Sequence, residues 1–227
     1  MFVHTTNGRS WRPNALDEFG VTSSSDTIVS SNEFTYKKGT EIFGEKEPAE
    51  YVYQVQIGAV RSYKLLSDGR RQIGAFHLVG DIFGMVNGAV HRFTAEAVVD
   101  TTVRLIKRRS LDKAADSDAV VACNLLSMTS SNLEHAENHM LLLGCKTAIE
   151  RVAAFLVEMD KRLAPTGVIA LPMTRRDIAD YLGLTLETVS RAISRLHAEG
   201  VLTFIGTRQR EIVIRNRVRL ISFELPS

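Results

Sequence analysis

Cysteine is scarce. Two in 227 residues are too few for a disulfide framework or a four-cysteine metal site. Cys123 and Cys145 both fall where the apolar pattern is helical, so buried structural thiols are expected. A redox switch at Cys145, beside Lys146, is the alternative. Long apolar runs are missing too. No stretch is long enough to span a bilayer, and no charged-then-apolar leader follows Met1, so a cytoplasmic protein with no membrane partner is expected. The chain also lacks a nucleophile elbow, a P-loop and a Rossmann fingerprint. Asp112 and Asp116 read as charges at a helix start rather than paired catalytic carboxylates, and no enzyme is expected. Net charge is small, +2, but unevenly placed. Residues 146–227 carry 13 Lys and Arg against 9 Asp and Glu, whereas residues 1–145 carry 15 against 17. The basic excess sits in the C-terminal third, where contacts to a polyanion would want it.

What the chain does have is concentrated between Met173 and Gly200, in MTRRDIADYLGLTLETVSRAISRLHAEG. Thr174 followed three residues later by Asp177 is a capping box, and Ile178, Ala179 and Leu182 continue as an apolar stripe. Gly183 stands where a left-handed residue would end that helix. Thr185 is the next N-cap, with Glu187 in the first turn, where the helix dipole favours a carboxylate. Val189, Ala192, Ile193 and Leu196 form the inward face of a second helix, which Gly200 stops. Leu186, Glu187, Ser190, Arg191, Ser194 and Arg195 are left outward. Glu and Arg one turn apart can accept from cytosine N4 and donate to guanine O6 and N7. Two short helices joined by a glycine turn, with this outer face, describe a helix-turn-helix that reads double-stranded DNA.

The rest of the chain divides by texture. Residues 1–27 are polar and read as a flexible arm. Residues 28–117 read as a β-roll: Tyr51–Ile57, Ala59–Tyr63, Gln72–His77, Ala95–Val99 and Thr102–Ile106 are strand-like, with an Asp-Gly hairpin at Ser67–Asp68–Gly69. Residues 118–144 read as a long helix and hinge. Ala122, Leu126, Thr129, Leu133, Ala136, Met140 and Leu143 alternate spacings of four and three, a heptad seam that predicts a homodimer. Gly144 is the expected hinge, followed by a helix over Lys146–Leu163. Residues 145–227 then read as a winged helix-turn-helix domain, with a strand at Val168–Leu171 and a hairpin of Val201–Ile205 and Glu211–Ile214. Phosphate contacts are expected from Thr174, Arg175, Thr185, Thr188 and Arg195, and from Arg208 and Arg210 at the hairpin tip. The fold class is α+β.

In this order of parts, the chain resembles the Crp/Fnr family of bacterial transcription regulators over residues 28–220. RQIGAFHLVGDIFG (Arg71–Gly84) and RRDIADYLGLTLETVSR (Arg175–Arg191) look most like its FixK branch. The resemblance implies an N-terminal roll like a cyclic-nucleotide-binding domain, a dimerisation helix, and a transcription activator that recruits RNA polymerase to genes of low-oxygen respiration, nitrogen fixation or denitrification. It implies that the pattern E-x-x-S-R, here Glu187, Ser190 and Arg191, reads a palindrome close to TTGAT, four bases, ATCAA. Glu187 and Arg191 would read the C·G and G·C pairs and Ser190 the neighbouring A·T pair. Leu186 stands where cyclic-AMP-binding members carry arginine, which implies an apolar contact there.

The sensing end departs from those relatives. Met85 stands where cyclic-AMP binders place a glutamate for the ribose, and Arg92 is followed by Phe93 instead of serine. A thioether cannot take the ribose donors strongly. Two cysteines are too few for the iron–sulfur cluster of oxygen-sensing members. The resemblance to the FixK branch therefore implies no cofactor, with control through synthesis and proteolysis. A ligand-sensing regulator is the alternative, with haem for nitric oxide or carbon monoxide, or a nucleotide, in the roll; His77, His91, His135 and His139 are the conceivable haem ligands.

Overall fold

A computed structural model describes residues 32–163, 167–206 and 209–224 of the chain. The arm over 1–27, and Arg208 with it, lie outside the described residues. Two four-stranded antiparallel sheets make the N-terminal roll. One has the order β1-β8-β3-β6, the other β2-β7-β4-β5. Their strands are β1 (Asn32–Tyr36), β2 (Glu41–Phe43), β3 (Tyr51–Ile57), β4 (Val60–Leu65), β5 (Arg71–His77), β6 (Ile82–Phe83), β7 (Thr94–Ala97) and β8 (Thr101–Lys107).

Strand β3 shows why the roll has two apolar layers. Tyr53 and Val55 face inward with Phe43, Phe83 and Val103, while Val52 points the other way onto Ile106 and Leu111. Side chains alternate across a strand, so a strand covered on both faces reads as a nearly unbroken apolar run. The β4–β5 hairpin turns at Leu66–Gly69, closed by Gly69 N–H donating to Leu66 O at 2.9 Å. Only Gly69 is left-handed there, with φ +83°. The Asp-Gly pair thus makes an ordinary turn followed by a left-handed residue, not a turn left-handed at both positions.

Helices follow earlier than the sequence pattern predicts. β8 runs straight into α1 (Arg108–Ser117), which lies within the range read as roll. Asp112 and Asp116 fall inside this helix, so they are not charges at the start of one. Asp118 caps α2 (Ala119–Cys145), its carboxylate accepting from Val120 N–H at 2.8 Å. The hinge prediction needs correcting. Gly144 is helical, and the chain breaks instead at Lys146, with φ −99° and ψ 145°. Thr147 N–H then donates to Glu150 at 2.7 Å as α3 (Ala148–Leu163) begins. Both cysteines are exposed free thiols, correcting the expectation of buried ones: α2 presents Cys123 outward and ends at Cys145.

The C-terminal part contains β9 (Val168–Ala170), α4 (Arg175–Leu182), α5 (Leu186–Ala198), β10 (Leu202–Ile205), β11 (Glu211–Ile214) and α6 (Arg217–Glu224). Its sheet has the order β10-β11-β9, which sets the β10–β11 wing beside the two short helices. The largest apolar cluster does not stop at the edge of the roll. It runs from Ile73, Phe76 and Leu78 through Val152, Phe155 and Leu156 of α3 to Ile178, Leu182, Ile193 and Leu196. Burying each such large side chain contributes roughly 1.5–3 kcal/mol, so roll and reader share a continuous core.

Candidate nucleic-acid interface

The first helix of the pair is closed at both ends. Thr174 accepts from Asp177 N–H at 3.1 Å while Asp177 accepts from Thr174 N–H at 2.9 Å, a complete capping box. Gly183 ends α4 in the left-handed region at φ 62°, where a side chain would be strained. Thr185 caps α5 by accepting from Thr188 N–H at 3.2 Å. Val189, Ala192, Ile193 and Leu196 are buried beneath α5. Its far face carries Glu187 and Arg191, both exposed, with Leu186 and Ser190 half-buried beside them. The four proposed base-reading residues thus share one outward surface near the start of α5.

The charge state of that surface suits reading. Hydrogen bonds from its own backbone N–H and from Thr185 hold the Glu187 carboxyl below the usual range, helped by Arg176 and Arg191. Glu187 therefore stays an acceptor, and Arg191 a donor, as cytosine N4 and guanine O6/N7 require.

The predicted phosphate contacts divide. Thr185 and Arg210 are exposed, and Thr188 is half-buried. Thr174 is committed to the cap, its hydroxyl donating to Asp177 at 2.7 Å. Arg175 reaches the wing, donating to Gln209 at 2.6 Å and lying over the Phe204 ring at 5.9 Å. Arg195 is tied to Glu199 at 2.9 Å and lies over Phe223 at 5.9 Å. Arg176, exposed beside Glu187, is a candidate phosphate contact that the sequence reading passed over. The doubled arginine at the start of α4 was the available signal. Fold contact then separates the pair: Arg175 binds the wing and Arg176 faces solvent.

On α2, the predicted seam lies on the face turned away from the roll. Leu126, Leu133 and Met140 are 68%, 60% and 65% exposed, and Thr129 and Ala136 are exposed between them. The opposite face packs, with Leu125 and Met128 against Ile106 and Leu111. The two ends of the seam, Ala122 and Leu143, are half-buried, and Leu143 Cδ2 lies 3.5 Å from where a Cβ on Gly183 would stand.

Two family models match, the cyclic nucleotide-binding domain over residues 33–118 and the Crp-like helix-turn-helix domain over residues 150–223. The nitrogen fixation regulation protein FixK of Rhizobium meliloti (strain 1021) is 41% identical over 179 residues, covering 79% of this chain and 82% of that protein. The FixK of Azorhizobium caulinodans is 43% identical over 190 residues, 82% of this chain and 76% of that one. The structure of FixK2 from Bradyrhizobium japonicum superposes with a TM-score of 0.83 at 65% identity, covering 87% of this chain and 98% of that one. The chain belongs to the Crp/Fnr family of transcription regulators, in its FixK branch.

A Crp/Fnr roll raises the question of a cyclic nucleotide, and the residues of this FixK-type roll do not fit one. Met85 is half-buried where a carboxylate would be needed, and Arg92 is exposed. The exposed Phe93 ring approaches within 3.2 Å of a Cβ built on Gly74 of β5. Inside the roll, His91 stacks on Phe43 at 3.6 Å, and Tyr53 packs on Phe83 at 5.3 Å. His77 also stacks on Phe83, at 4.8 Å, and shares a 2.8 Å hydrogen bond with Ser62. His139 is elsewhere, stacked on Tyr181 at 4.2 Å. Among the described residues, no three His, Cys, Asp or Glu side chains gather into a metal-holding group. No helix among them is long and apolar enough to cross a membrane.

Proposed function

We propose that this FixK-type activator binds, as a homodimer, a palindrome of the form TTGAT, four bases, ATCAA, and recruits RNA polymerase to genes of low-oxygen respiration, nitrogen fixation or denitrification. The observation that carries the reading is the outer face of α5. Glu187 and Arg191 stand exposed one turn apart on a helix whose other face is buried. The relatives' role as nitrogen fixation regulators supports the class of target genes. The uncovered Leu126, Leu133 and Met140 support a dimer, because an exposed heptad seam has a favourable partner in a second copy of itself. The lack of fit to a cyclic nucleotide supports binding without a small-molecule effector. A cytoplasmic, non-enzymatic role follows from the same reading, with the roll over 28–117, the dimer helix from 118 with its hinge moved from Gly144 to Lys146, and the reader beyond it.

The test is selection of bound duplexes from a random pool with purified protein and no added ligand, followed by footprinting. Enrichment of a two-fold TTGAT-type box is the expected result. Enrichment of an asymmetric or unrelated sequence, or enrichment only after adding a cyclic nucleotide, would overturn it.

A further inference from the structure

Between the roll and α4 lies a group of charges with no counterpart in the reading surface. Asp177 is only 3% exposed in its side chain, and its two oxygens have different tasks. Oδ2 completes the capping box with Thr174. Oδ1 accepts from Arg61 Nη1 of β4 at 2.7 Å and from Arg71 Nη2 of β5 at 2.6 Å. Asp180, almost one turn on, accepts from Arg71 Nε at 2.8 Å, and Glu96 of β7 holds the other arm of Arg61. Gln72 adds a bond to Tyr181 O at 3.2 Å.

We propose that Arg61 and Arg71 are positioning residues that fix the angle at which α5 is offered to DNA, by gripping the two carboxylates of α4. This rests on the DNA-reading function above. Apolar burial between Phe76, Phe155 and Tyr181 holds the two parts together, but such burial has little directional preference. Guanidinium–carboxylate bonds have a fixed fork geometry and do select a direction. Asp177 and Asp180 sit three residues apart on one helix face, so they repel each other unless cations meet them. The roll supplies both cations. α4 and α5 are joined through the Gly183 turn, so the angle of α4 sets that of α5. In a dimer, it also sets the separation of two recognition helices that must meet half-sites about one helical turn apart.

The test compares the full-length chain with an Arg61→Met/Arg71→Met variant and with Arg71→Lys. The first readout needs no DNA: spin labels at Ser67→Cys and Ser194→Cys, with Cys123 and Cys145 changed to Ser, on one protomer diluted into unlabelled chain. The unmodified pair of arginines is expected to give one narrow distance distribution and the double variant a broad one. Arg71→Lys should fall between, because an ammonium cannot span Asp177 and Asp180 with a fixed fork. The second readout is affinity for palindromes whose half-sites are moved apart by a base pair. If only about one molecule in ten holds the competent angle, affinity at the natural spacing falls about tenfold. The penalty for altered spacing should shrink at the same time, with base preference inside each half-site unchanged. A narrow distribution and an unchanged spacing penalty in the folded double variant would overturn the proposal. If the double variant does not fold, Arg71→Lys decides the same question by its breadth. A parent chain that selects no palindrome would sink the reading of function, and the label distances would still decide the grip.

Discussion

Arg191 is exposed and the Glu187 carboxyl is held below its usual range, so on the proposed reading the pair meets the groove with its chemistry already set. Replacing Arg191 with Ala should cost roughly 1–3 kcal/mol at the cognate guanine and relax preference there, while binding to other bases changes little. Competition binding across single-base variants of the site measures this. Uniform weakening over all sequences would instead make Arg191 a backbone contact. Two histidines give a pH dependence whose sign can be worked out. Burial lowers the His77 ring from 6.5 to about 3, assisted by Arg162 and His135, and lowers His139 from 6.5 to about 4, assisted by His135. The unfolded chain takes up these protons near 6.5 and the folded chain refuses them until about 4 or lower. Stability is therefore complete above that upper value and declines as pH falls through the window. Thermal midpoints recorded between neutral and acidic pH should show the decline, and His139→Phe, which keeps a ring against Tyr181, should flatten part of it. Parallel curves for both proteins would show that His139 is not a source of it.

Elements divide into those with a local signal and those without. The capping box, the left-handed Gly183 and the buried stripe of α5 are written within a few residues of one another, so both helices could be placed from sequence. β2 and β6 have three and two residues, too short for an alternation to register. α1 is short and buries only Leu111, so it offers few apolar residues to mark its face. The break falls at Lys146 and not at the expected Gly144, because one glycine in a helix costs only about 1 kcal/mol against alanine, too little to end α2 by itself. The grip on α4 had no local signature at all. Asp177 and Arg61 are 116 residues apart, and only the folded chain brings them together. Two predictions belong at this scale. Thr174→Ala removes one half of the box and should lower stability by about 0.5–2 kcal/mol, read as a drop in denaturation midpoint. Leu133→Glu puts charge into the α2 seam. Sedimentation should then find monomers, and affinity for the full palindrome should fall to that of a half-site. A charged variant that remained dimeric would move the interface elsewhere.

For the whole molecule, the continuous core from Ile73 through Phe155 to Leu196 implies that roll and reader unfold together. Calorimetry of the intact chain should show one cooperative transition, with the measured and van't Hoff enthalpies in agreement per cooperative unit. Two resolved transitions would mean that the shared cluster is too weak to couple them. Arg151 extends this coupling to α2. Its guanidinium donates to Leu143 O at 2.8 Å and Lys146 O at 2.9 Å, where α2 ends, and to Leu182 O at 3.0 Å, where α4 ends. One cation thus completes the carbonyl ends of two rods that meet at a corner. Any torsion of one rod about its axis drags on the other through this rivet, so a partner that twists the paired rods from outside would steer the reading heads without touching them.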